Sequence, residues 1–246
     1  MKKIMKSKGF TLVEILVVVS IIGILAAILV PVVARSKTKA KIAMAKVQMN
    51  DLAVAIKSYK SDYQRYPLPS FISQSGPAPK VNDGKDASFG SPVYHKKENQ
   101  QKYIVSILWD RNNKRNPKKN VYLNVKESGE DYIIWKANGE IDSLVRQPGR
   151  SNDGYYLDPF GNAYNISVDK NADGYCVDKV YSSLRSGGDV GMVPVPDIVD
   201  DRGVKVDVRG VKGSEVLIWT DGPDLKASTS QGAIGGDNAD NILSWK

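Results

Sequence analysis

The chain has 246 residues, 41% of them hydrophobic, and a formal charge of +8 at pH 7, so it can bury a sizeable core and still carry an anchor. Lys2, Lys3, Lys6 and Lys8 crowd the first eight residues, and without them the basic excess falls to four, too little for a nucleic-acid surface, so no nucleic-acid partner is expected. One cysteine, Cys176, leaves no internal disulfide, and one histidine, His95, argues against a His-based metal or general-base site.

The first predicted element is apolar. From Ile15 to Val33, 19 residues carry no charge, and Ser20 is the one polar side chain. At ~1.5 Å per residue the run makes about 28 Å of helix, close to the ~30 Å thickness of bilayer hydrocarbon. It is too long for an ordinary secretory signal and lacks a small-x-small cleavage site. The lysines before it predict a cytoplasmic amino end and an exported remainder, hence a single-pass anchor. Glu14 stands near the start of the run, with no basic side chain in the next 20 residues. An acid at such a depth calls for a partner. A cut after Gly9 would create one, the α-amino group of Phe10, with an ordinary pKa of ~7.7–8.0. On its own chain that amine is poorly placed for Glu14; on a neighbouring chain shifted along the axis it could meet it directly. Pro31 removes a backbone donor and is expected to kink or loosen the helix.

An amphipathic helix follows. Ile42, Ala45, Met49, Leu52, Ile56, Tyr59 and Tyr63 recur at spacings of 3 and 4, a stripe on which a globular domain can dock. Pro67 and Pro69 end it. Residues 70–95 read as loop, and Glu98 to Trp109 as a short helix with Tyr103, Ile104, Ile107 and Leu108 facing inward. Strand patterns follow at Tyr155–Asp158 and Asn162–Val168, either side of a Pro-Phe-Gly turn, then at Cys176–Tyr181, Val204–Val208 and Glu215–Trp219. The expected fold is α+β: a long amino-terminal helix, half membrane and half amphipathic, packed against a small antiparallel sheet. The chain divides into a basic leader (1–9), a transmembrane and assembly helix (10–33), an amphipathic helix (34–66), a loop-rich insert with a short helix (67–150), and a β-sheet region with an Asp/Gly-rich carboxy-terminal loop (151–246).

Two acidic loops are candidate metal sites, both suited to calcium, which takes several oxygen ligands from flexible loops. "DKNADGYCVD" offers Asp169, Asn171, Asp173 and Asp178. Its D-x-N-x-D-G opening copies an EF-hand loop, but the twelfth position is Val180 rather than Glu. The plainer reading is a tight Asp-Gly turn between strands. The tail offers Asp221, Asp224, Asp237 and Asp240. No arrangement of nucleophile and base is visible, and no enzymatic activity is expected.

"KGFTLVE", with Gly9, Phe10, Glu14 and Pro31 in register, resembles the class III signal of type IV pilins and type II secretion pseudopilins. "DLAVAIKSYKSDYQRYP", "LDPFGNAY" and "IWTDGPD…GDNADNILSW" resemble segments of the major pseudopilins, with Phe160 where that pattern has Trp and Ala163 where it has Pro. The roughly 80 residues between Pro69 and Gly149 exceed what a compact major pseudopilin needs. The resemblance implies a type IV pilin-like fold, cleavage after Gly9 and N-methylation of Phe10 by a prepilin peptidase, and assembly through Glu14 and the region of Pro31. It implies a homo-oligomeric helical filament, built with other pseudopilins on an inner-membrane assembly platform and driving protein export, with a periplasmic carboxy-terminal domain. It also implies calcium at the tail, where Asp224 and Asp240 match best. A type IV pilus or competence-type minor pilin is the alternative within the family. A membrane-anchored exported binding protein or hydrolase is the alternative outside it.

Overall fold

The computed structural model describes residues 10–69, 86–90, 100–125, 133–135, 141–144, 149–150, 154–183, 190–196, 198, 204–205, 207–228 and 235–246. The chain divides into two units, Met1–Lys41 and Ile42–Lys246, and the boundary falls within the first helix, α1 (Leu12–Tyr63).

In the first unit α1 is helical without interruption through Pro31. The expected loosening there is therefore not a break in the helix; the lost donor is one the chain tolerates. All described residues from 10 to 41 are exposed, among them Ile15, Leu16, Val19, Ile22, Leu25 and Leu29. This helix is long and apolar enough to cross a membrane. So much bare aliphatic surface is unfavourable in water and requires lipid or neighbouring helices.

In the second unit the helical stripe does what its spacing predicts. Ala45, Met49, Leu52, Ala55, Ile56 and Tyr59 are buried, with Ile42 and Tyr63 half-buried at either end. Against them lies a four-stranded antiparallel sheet in the order β1–β6–β10–β11, with β1 at Ala87–Phe89, β6 at Asn165–Val168, β10 at Val216–Thr220 and β11 at Ile242–Leu243. Val168 pairs with both Ala87 and Val216, and Ile166 with both Phe89 and Ile218. The period of two sends Ile166, Val168, Val216 and Ile218 to the core shared with α1. Leu217 and Trp219 go to the opposite face, where Cys176, Val180, Tyr181, Met192 and Leu243 cover them. Both faces of the central strands are thus buried.

Helix α2 (Lys102–Trp109) adds Ile104, Val105, Ile107 and Leu108 to the main core. It is shorter than the expected Glu98–Trp109, of which 98 and 99 lie outside the described residues, and Tyr103 is only half-buried while Val105 is buried in its stead. Residues 87–89 correct the loop reading of 70–95, since β1 is an edge of the main sheet; residues 70–85 and 91–95 lie outside the described residues. In the insert, the pair β2 (Ile133–Trp135) with β3 (Ile141–Leu144) and the strand β4 (Gly149–Arg150) were not foreseen, while β4's partner β5 (Tyr156–Leu157) falls within the strand expected at Tyr155–Asp158. The strand expected at Val204–Val208 lies further on as β9 (Arg209–Lys212), which pairs with β7 (Tyr175–Cys176) and with β8 (Val193–Pro194). After Cys176 the chain turns into a 3-10 helix, Tyr181–Ser183, rather than continuing as strand.

Candidate functional site

At the amino end, Gly9 lies outside the described residues. Phe10 is 82% exposed. Thr11 precedes the first helical residue and Glu14 is the third, and together they close a capping box: the amide and the hydroxyl of Thr11 each donate to Glu14 Oε2 at 2.8 Å, while the Glu14 amide donates to Thr11 Oγ1 at 3.2 Å. The T-x-x-E spacing that signals this device is plain in the sequence, yet a reading of Glu14 as a charge awaiting a cation passes over it. Both roles are compatible. The cap occupies Oε2, whereas Oε1 has no donor among the described residues. A cut after Gly9 would leave the Thr11 amide intact, and with it the cap.

The tail is the second site. Gly222 has φ +71°, and a Cβ there would lie 2.2 Å from the carbonyl oxygen of Asp240, so only glycine lets the "TDGPD" turn meet residues 240–241. The Asp224 amide then donates to Asp240 Oδ2 at 3.0 Å. Asn238, buried, pairs with both main-chain groups of Ser228 at 2.9 Å. With its side-chain amide oriented to satisfy both ends, Asn241 donates to the carbonyls of Asp221 and Lys226 at 2.9 and 3.1 Å and accepts from the Tyr181 hydroxyl at 2.8 Å. Burial, with the charges of Asp240 and Asp237, holds the Asp224 carboxyl above its usual range. Asp224, Asp237 and Asp240 therefore share one neighbourhood. Asp221 is buried, and its Oδ1 is 3.5 Å from Asn165 Nδ2. The predicted quartet is brought together as three exposed or half-exposed acids and one turned inward.

The loop after β6 behaves differently. Asp178 is spent in the core: Oδ1 accepts from the amides of Val180 and Tyr181, and Oδ2 from Ser167 at 2.7 Å and Trp219 Nε1 at 2.9 Å. With all its acceptor capacity used and 1% exposure, it anchors the second core and does not face the loop with Asp169, Asn171 and Asp173. Sequence reasoning missed Asp86. Its carboxylate accepts from the amides of Lys170 at 3.1 Å and Val177 at 2.7 Å, and burial, then the charges of Asp169 and Asp173, push it up to about 7. Nothing local marks it; it lies 83 positions before Asp169 in the chain. Cys176 is fully buried, and burial pushes its thiol up, as befits a core residue. Among the described residues no three His, Cys, Asp or Glu side chains close into a ready-made metal set.

Asp158, in "LDPFGNAY", is fully buried and holds its own turn. Oδ1 accepts from the amides of Phe160 and Asn162 at 2.9 and 2.7 Å, and Oδ2 from the Thr220 hydroxyl. Asn162 Nδ2 reaches the Gly222 carbonyl at 3.2 Å. The motif thus ties the sheet to the tail loop.

Among the described residues, an exposed apolar helix with a capped acid at its start continues into the helix on which the α+β sheet packs. Residues 4–30 match the family model described as the prokaryotic N-terminal methylation motif. The chain is similar to type II secretion system core protein G of Pseudomonas aeruginosa, 47% identical over 62 residues, which are 25% of this chain and 44% of that one. The Aeromonas hydrophila core protein G is 34% identical over 89 residues, 34% of this chain and 62% of its own. The type IV major pilin protein PilA of Myxococcus xanthus is 40% identical over 74 residues, 30% of this chain and 33% of its own. The chain thus spans between a third and about three fifths of these relatives. No solved structure matches.

Proposed function

We propose that this chain is the structural subunit of a pilin-like filament, a pseudopilin of a type II secretion system. It is held in a bacterial inner membrane by the first half of α1, its amino end cytoplasmic and its sheet domain periplasmic, until it is drawn into the filament. A prepilin peptidase cuts after Gly9 and methylates Phe10. The observation that carries this reading is the capped, wholly exposed apolar run of α1, with Glu14 Oε1 left without a donor. In a filament the new amine of Phe10 from one copy neutralises Glu14 of the next, and the apolar side chains bury one another. N-methylation keeps that amine basic. The similarity to core protein G supports a secretion system; the similarity to a type IV pilin keeps a pilus subunit as the second reading.

Calcium at the tail belongs to the same proposal. Asp224 and Asp240, with Asp237 beside them, supply hard oxygen donors in a loop with little apolar material of its own. The inward turn of Asp221 leaves its carboxylate out of that set, so main-chain carbonyls must complete the ligands.

The test is Glu14→Leu in cells. A filament subunit should remain membrane-bound at wild-type level yet give no sheared or pelleted filament and no export, whereas a mere tether should keep working. Loss of piliation with secretion intact would favour the pilus reading.

A further inference from the structure

We propose that residues 169–177, clasped by Asp86, form a second cation site of the hard-oxygen type, suited to calcium and separate from the tail loop. The geometry begins with Asp86, just before β1. One carboxylate holds both arms of the loop, Oδ1 accepting from Lys170 N–H and Oδ2 from Val177 N–H. Asp169, at the end of β6, donates its own amide to the Glu215 carbonyl at 3.0 Å and accepts from Gly174 N–H through Oδ2 at 3.2 Å. The residue is 4% exposed, and its Oδ1 has no hydrogen-bond partner among the described residues.

A buried carboxylate oxygen with no protein donor beside it is costly unless something else partners it. The neighbourhood is also of one sign: the charges of Asp169 and Asp173 bear on Asp86, and that of Asp173 bears on Asp169. Among the described residues no lysine or arginine pairs with any of the three. A bound cation would supply the missing positive charge and the missing partner for Oδ1 together.

The donors decide the class. Asn171 and Asp173, at positions three and five from Asp169, already brace the turn, Asn171 Nδ2 donating to Asp173 Oδ2 at 2.8 Å. Since no three acidic side chains among the described residues close on one point, amide and main-chain carbonyl oxygens and water must fill out the shell. Calcium accepts such a mixed, irregular set of six to eight oxygens, while magnesium demands a near-ideal octahedron. Zinc would seek nitrogen or thiolate, and Cys176 is buried as a thiol.

The probe is terbium luminescence of the full chain in detergent, excited through Tyr175, whose amide binds Asp173 Oδ1 at 2.8 Å, and displaced by calcium. An Asp224→Asn background silences the tail. In it, a calcium-displaceable signal should persist, fall several-fold with Tyr175→Phe, and weaken tenfold or more with Asp169→Asn or with Asp173→Asn. Asp173 is half-exposed, so its variant should keep the wild-type melting temperature and guards against mere unfolding at Asp169. A signal abolished by Asp224→Asn alone would overturn this site and support the tail. A signal untouched by Asp173→Asn and Asp169→Asn would overturn it as well. Persistence in Asp224→Asn with loss in Asp169→Asn would uphold this site whatever becomes of the tail.

Discussion

Glu14 serves the fold, and under the proposed function it serves an assembly as well. Its Oε2 closes the capping box with Thr11, which starts the helix where the apolar run begins, and its Oε1 has no donor among the described residues, which leaves it for the cation the proposal requires. Gly222 is a stricter case. An alanine there would meet the Asp240 carbonyl at 2.2 Å in a left-handed conformation, so Gly222→Ala should separate the "TDGPD" turn from residues 240–241, costing more than ~1–2 kcal/mol. Raised amide exchange at Asp224, whose N–H binds Asp240, would report it; unchanged protection would refute it. Asp158 gives the molecule a pH dependence. Burial lifts its carboxyl to about 6 from an ordinary 3.8, against the pull of the Thr220 hydroxyl and the amides of Asn162, Phe160 and Gly161. Because the folded state holds that proton more tightly than the unfolded one, its contribution is full below about pH 4 and is lost as pH rises through about 6, on the order of 2–3 kcal/mol. Melting temperature should therefore fall between pH 4 and 7, and Asp158→Asn should flatten the slope; an unchanged slope would contradict the assignment.

At the scale of elements, legibility follows locality. The long helix and its buried stripe could be read from spacing alone, because a period near 3.6 is written in consecutive residues. The sheet could not. Its strands run from two to five residues, and its order joins residues 87–89, 165–168, 216–220 and 242–243, pairings no local pattern contains. For the same reason Asp86 was invisible and Asp178 misplaced: the first acts across the sheet on a distant loop, and the second follows Trp219 and Ser167 into the core. The helix face gives a contrast to measure. Leu52 is fully buried and Val54, two positions on, is 53% exposed. Leu52→Ala should cost ~2–5 kcal/mol by thermal unfolding, and Val54→Ala within about 0.5 kcal/mol. Equal losses would mean that the sheet does not dock on the stripe as described.

For the molecule as a whole, the two units solve opposite problems. Ile42–Lys246 buries its apolar residues on both sides of a short sheet, while the described part of Met1–Lys41 buries none. A chain built this way is complete only with lipid or with other copies around its amino-terminal helix, which is what a filament subunit requires. The central claim is that the working amino terminus is made by proteolysis, and the mass of the mature chain isolated from cells tests it most directly. The account predicts a chain beginning at Phe10 and carrying one extra methyl group on its amine. A chain still beginning at Met1, or cut at any bond other than Gly9–Phe10, would contradict it.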